Sequence, residues 1–232
     1  MSNILPSKLI ASLRDKFQFE EKLFFENSSN NKHALIIVDI QNDFLPGGSL
    51  EVPGGCEVIP IINELQKEFE LVILTQDWHP NNHQSFASSH ESKNPFDIIE
   101  LNGLKQVLWP NHCVQGTKGA EFSALLKTNQ AALIIRKGMN LSIDSYSGFF
   151  DNGKLNSTGL AGYLTEKGIQ KVSVCGLAAD FCVYFTAMDA LELGFEVEII
   201  SNATKAINPI EYKEKLKNFQ NKGGTESIFE QL

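Results

Sequence analysis

A three-layer α/β sandwich with a mainly parallel, Rossmann-like central sheet is the fold this sequence predicts. Three observations lead there. Short apolar runs rich in β-branched residues recur without strict alternation, as in buried parallel strands. Stretches with helical periodicity separate them, and strand–helix alternation implies a parallel sheet with helices on both faces. The length of 232 residues, with 42% hydrophobic and 21% charged, suits one domain that buries its own core.

The strand candidates are residues 34–39, ending on Asp39; 71–75, close before Asp77; 132–136, just before Lys137; 172–175, just before Gly176; and 195–200. Helix candidates are residues 57–68, after Pro53-Gly54-Gly55; 155–167, stopped by Gly168; 181–193, stopped by Gly194; and 209–221, with Pro209 in the first turn. Residues 1–32 stand apart as an N-terminal extension. Leu9, Leu13 and Phe17 recur at helical spacing behind Ser7, and Ser28-Ser29-Asn30-Asn31 reads as a linker, so a peripheral helix is expected there. Residues 33–232 form the single domain. Residues 81–119 form a long segment containing Pro95 and Pro110, and a loop of that length in a compact domain is usually functional.

A formal charge of -8 argues against a nucleic-acid surface, which needs clustered Lys and Arg. No apolar run is long enough for a membrane span, and charges at Lys8, Arg14, Asp15 and Lys16 break the pattern of a signal peptide. Cys56, Cys113, Cys175 and Cys182 include no CxxC pair, which fits neither a zinc module nor a disulfide framework. A reducing, cytoplasmic setting is expected, and self-association into a homo-oligomer stays open.

Ligands in open α/β sheets bind beyond the carboxyl ends of the strands. The polar residues closing the apolar runs, Asp39, Lys137 and the segment from Gly176 to Cys182, should therefore meet in one crevice. A thiol at a helix mouth feels the positive end of the helix dipole, and a nearby ammonium favours thiolate further. Cys182 is thus the candidate nucleophile, whereas Cys175, inside a strand, is assigned to the core. Asp77 and His79, two apart on an extended segment, point the same way and can share an ion. His112 is a third donor from the long loop. One carboxylate and two imidazoles suit Zn²⁺, Mn²⁺ or Fe²⁺ and leave coordination positions open. His83 is left open between a fourth ligand, a group behind the ligands and a pocket donor. His33 and His90 read as solvated or locally bonded.

Six ordered motifs carry a resemblance. They are residues 38–44 (VDIQNDF), 77–80 (DWHP), 109–113 (WPNHC), Lys137-Gly138, 146–149 (YSGF) and 176–182 (GLAADFC). Over residues 34–207 the chain resembles the nicotinamidases (pyrazinamidases) of the isochorismatase-like hydrolase superfamily. The resemblance implies Asp39, Lys137 and Cys182 as catalytic triad and one divalent metal on Asp77, His79 and His112, zinc first. His83 corresponds to an extra ligand found only in some members. Phe44, Trp109 and Tyr146 match ring-pocket residues, and the amides of Ala178 and Cys182 match an oxyanion hole next to a cis Leu177–Ala178 peptide. The activity implied is hydrolysis of nicotinamide to nicotinate and ammonia through a thioester, in NAD salvage. The rival in the same superfamily is another cysteine amidase. From a different class, the rival is a catalytically silent metal protein that holds a pyridine.

Overall fold

The computed structural model describes residues 32–230. The peripheral helix expected within residues 1–32 lies almost entirely outside them. The core of the fold is a six-stranded sheet in the order β5-β2-β1-β6-β7-β8, in which every neighbouring pair runs parallel. Its strands are β1 (His33–Val38), β2 (Leu71–Asp77), β5 (Ala131–Lys137), β6 (Lys171–Leu177), β7 (Glu196–Lys205) and β8 (Thr225–Ser227). The five strands expected from sequence are all present. The short β8 carries no apolar run to announce it.

Alternation along the strands builds two cores. Leu35, Ile37, Val72 and Leu74 face one side, where they meet Val58, Ile59, Ile62 and Leu65 of α1 (Val58–Leu65). Ala34, Ile36, Val38 and Ile73 face the other. There they pack with Leu160 and Leu164 of α2 (Leu160–Glu166), Ala187 and Ala190 of α3 (Tyr184–Glu192), and Phe219 of α4 (Pro209–Asn221). Burial on both faces explains why the strand sequences are nearly continuous in apolar residues.

Three elements differ from the sequence reading. Helix α2 starts at Leu160, because residues 151–158 are held in a turn around Asp151, whose carboxylate accepts from the backbone N–H of Gly153, Leu155 and Asn156. The helix expected over 181–193 begins as a wider π-type turn, Ala179–Val183, before α3. The long loop contains a hairpin, β3 (Ile98–Leu101) and β4 (Leu104–Val107), closed by Asn102 and Gly103 at φ 51° and 78°. Asn-Gly is the residue pair that a tight hairpin with two positive φ values prefers.

The chain leaves β1 toward β2 and β5 on one side and returns to β6 on the other. The reversal of strand order between β1 and β6 opens a crevice at their carboxyl ends. Close packing at that reversal depends on Gly176. It faces Val38 across the sheet at φ 109°, and a Cβ there would sit 2.1 Å from the Val38 carbonyl oxygen. Gly176→Ala is therefore expected to destabilise the domain by roughly 2–4 kcal/mol, measured as a lowered urea midpoint at unchanged m-value.

Candidate active site and metal donor set

Asp39 follows β1, Asp77 ends β2, Lys137 ends β5, and Cys182 lies on the turn after β6. The sheet brings all four to the crevice. Asp77 and Lys137 are register partners on adjacent strands. Asp39 adopts a left-handed backbone, φ 48°, which turns the chain at the end of β1. Gln41 then reaches across to β2. Its amide donates to the Asp77 carbonyl at 2.8 Å and its side-chain oxygen accepts the Asp77 N–H at 2.7 Å, so the side chain continues the strand pairing past the sheet edge.

The Lys137 ammonium is the hub. It donates to Asp77 Oδ1 at 2.6 Å, the Ser145 carbonyl at 3.1 Å and Cys182 Sγ at 3.4 Å. Those three bonds use its three hydrogens. Asp39 Oδ2 forms an ion pair with the same nitrogen at 2.8 Å. Asp39 Oδ1 accepts the Thr75 hydroxyl at 2.5 Å. One carboxylate oxygen each from Asp39 and Asp77 and the Cys182 sulfur lie within 4.8 Å of one another.

Burial sets the protonation pattern. Burial alone would lower the Lys137 pKa, but Asp39 and Asp77 hold it well above its ordinary value. Burial alone would raise Asp77, but Lys137 holds it well below the usual range. Asp39 is raised by burial despite Lys137. The Cys182 thiol is also pushed well up, by burial first, and the carboxylates of Asp39 and Asp77 oppose the help from Lys137. Burial thus opposes the thiolate that the helix mouth favours.

The metal donor set is assembled by the long loop pairing back onto β2. His79 N–H donates to the Cys113 carbonyl at 3.0 Å, and Gln115 N–H donates to the His79 carbonyl at 2.9 Å. Asp43 anchors the loop by accepting the Cys113 N–H at 2.7 Å. These bonds carry His112 to within 3.6 Å of Asp77 Oδ2, with His79 Nε2 at 3.4 Å from the same oxygen. The Nδ1 atoms of His79 and His112 face the carbonyl oxygens of Gly138 and Pro110, both at 2.9 Å. A carbonyl only accepts, so each Nδ1 carries the ring proton and each Nε2 presents a lone pair. His79 Nε2 is buried and makes no hydrogen bond. Two imidazole lone pairs and one carboxylate oxygen converging in this way could hold a divalent ion.

His83 differs. The Ser85 N–H donates to its Nδ1 at 3.1 Å, which leaves the proton on Nε2, the opposite tautomer from the other two. Its Nε2 is buried without a hydrogen-bond partner, and with His79 and Asp144 the residue forms a second group that could hold a metal. His33 and His90 are locally bonded as expected, to the Ser173 hydroxyl and the Gln84 carbonyl, both at 2.8 Å. Cys175 is fully buried in the core.

Beside Cys182 lies a small pocket, partly open to solvent, whose walls include Phe44, Trp109, Tyr146 and Ala178. Trp109 meets Tyr146 edge-on at 6.2 Å, and its indole N–H donates to the Tyr146 hydroxyl at 3.2 Å. The Leu177–Ala178 peptide is cis. Sequence reading missed four lining residues, Leu50, Asp144, Phe181 and Ile207. Phe181 and Asp144 could have been found, since one precedes the nucleophile candidate and the other stands two before Tyr146. Ile207 and Leu50 come from loops without a motif.

Residues 33–227 match the family model described as the isochorismatase domain. This chain belongs to the isochorismatase domain family. The nicotinamidase of Acinetobacter baylyi is 53% identical over 178 residues, covering 77% of this chain and 83% of that one. The solved structure of an Acinetobacter baumanii nicotinamidase and pyrazinamidase superposes with a TM-score of 0.84 at 47% identity, covering 87% of this chain and 98% of that one. The pyrazinamidase of Pyrococcus horikoshii, solved in complex with zinc, gives a TM-score of 0.71 at 38% identity, covering 85% and 99%. Within the family, then, the chain is a hydrolase of the nicotinamidase group. Among its described residues no helix is long and apolar enough to cross a membrane.

Gly138 links the two halves of the site. It follows Lys137 at φ 67°, and a Cβ there would come within 2.4 Å of the His79 ring. Gly138→Ala is expected to weaken zinc binding by about tenfold or more, read by competition with a chromogenic chelator, since it displaces the ring that Gly138 orients.

Proposed function

We propose that this family member hydrolyses nicotinamide to nicotinate and ammonia by way of a Cys182 thioester, with zinc as the preferred metal. It would act in the cytoplasm, in the salvage of NAD. The observation that carries this reading is the single Lys137 ammonium in contact with Cys182 at 3.4 Å, Asp39 at 2.8 Å and Asp77 at 2.6 Å. It joins a nucleophile, a base and a metal donor set under one aromatic pocket.

The amide ring enters between Trp109, Tyr146 and Phe44, and its carboxamide carbon meets Cys182 Sγ. As sulfur attacks, Asp39 takes the thiol proton, so no free thiolate has to exist beforehand. Its raised pKa suits both accepting that proton and returning it. Lys137 stays charged, holds Asp39 and Asp77 apart and stabilises negative charge on the sulfur. The backbone amides of Ala178 and Cys182 are the donors proposed for the tetrahedral oxyanion. Asp39 then delivers the proton to the departing nitrogen, the carbon–nitrogen bond breaks and ammonia leaves. Water adds to the thioester carbon and Asp39 accepts its proton; the carbon–sulfur bond breaks, Asp39 returns that proton to the departing sulfur, and the acid product ionises to nicotinate. Asp77, His79 and His112 would hold the metal, which supplies Lewis acidity for a ring nitrogen or a water molecule when bound.

Ammonia release from nicotinamide tests the reading. Cys182→Ala should lose at least about a thousandfold in kcat with the fold intact by circular dichroism. Wild-type rates in that variant would remove Cys182 as nucleophile. Chelation and dialysis should abolish most activity, and added zinc should restore it. Full activity of the metal-free protein would favour a metal-independent cysteine amidase.

A further inference from the structure

We propose that Lys215 of α4 is a positioning residue for ring binding, holding Phe181 as a wall of the pocket beside Cys182. The inference rests on the nicotinamide reading above and adds a residue outside the motifs that carry it.

Phe181 lines the cavity one residue before the nucleophile candidate. On its inner side it packs edge-to-face against Trp109, with ring centres 4.8 Å apart, and lies 5.4 Å from Tyr146. Lys215 approaches the same ring, its ammonium 4.4 Å from the ring centre, within cation–π range. That ammonium also donates to the Asp180 carbonyl at 2.6 Å and pairs with Glu211 at 2.8 Å, one helical turn back. The Asp180 carbonyl belongs to the turn that carries Cys182. Lys215 thus grips both the backbone and the ring of the segment just before the sulfur, and it is not itself a cavity-lining residue.

The buried Asp180 side chain completes the connection in the other direction. Its carboxylate accepts the N–H of Ile207 at 3.0 Å and of Asn208 at 2.7 Å. Ile207 lines the same cavity, and Asn208 caps α4 by accepting from Ile210 and Glu211. The start of α4, two cavity walls and the nucleophile turn therefore form one bonded unit, which Lys215 closes. A lysine suits this place because its flexible stem brings a compact charge to a carbonyl and a ring face at once.

Removing the charge should loosen the Phe181 wall without touching the reacting atoms. In steady-state ammonia release, Lys215→Met is expected to raise KM for nicotinamide about fivefold or more with kcat within about threefold, and Lys215→Arg to recover most of the loss. In a Phe181→Leu background the same Lys215→Met change should alter KM by less than about twofold, because the ring it acts through is gone. Lys215→Gln, which keeps a donor, replaces the Met variant if that one does not fold, and it should give an intermediate KM. An unchanged KM in the folded variant, an equal effect with and without Phe181, or a fall in kcat at constant KM would each overturn the proposal. Inactivity of the wild type toward nicotinamide would instead overturn the functional reading.

Discussion

A buried ammonium between two buried carboxylates is the constraint on which this site depends. An unpaired charge in the interior costs several kcal/mol, so Lys137, Asp39 and Asp77 are tolerable only together. Each sets the state of the others: Lys137 stays protonated because of the carboxylates, and Asp77 stays ionised because of Lys137. Asp39 is left as the carboxylate whose pKa burial raises despite Lys137. The cluster thereby places two chemically similar groups in opposite electrostatic settings, one raised and one lowered.

The fold supplies that cluster by strand order. Reversal between β1 and β6 opens the crevice, and the parallel register puts Asp77 and Lys137 side by side. Loops then finish what strands begin. Gln41 extends the pairing of β1 with β2 beyond the sheet, and backbone bonds between His79 and the segment 113–115 bring His112 from far along the chain. Glycines at 138 and 176 are needed because a Cβ would fill space already held by the His79 ring and the Val38 backbone.

Much of this was legible from the chain itself. Parallel strands buried on both faces leave continuous apolar runs, and the residues that end those runs must face the ligand crevice. Asp39, Asp77, Lys137 and the turn leading to Cys182 could therefore be named before any coordinates. Helix α4 was readable to its limits because Pro209 and the Asn208 cap mark its start. The Asn102-Gly103 hairpin carried a readable signal that its setting in a proline-containing loop obscured.

What only tertiary structure decided concerns electrostatics and long-range contact. Sequence places a cysteine at a helix mouth, which favours thiolate; burial of that thiol beside two carboxylates pushes the other way, and burial is a property of the packed site. The tautomers of His79, His83 and His112 follow from neighbouring backbone groups that no motif encodes. Phe181 and Lys215 are far apart in sequence, and their contact exists because α4 packs across the turn after β6. Residue types and local spacing determine which chemical groups are available. Three-dimensional packing determines which of them share protons, charge and a substrate.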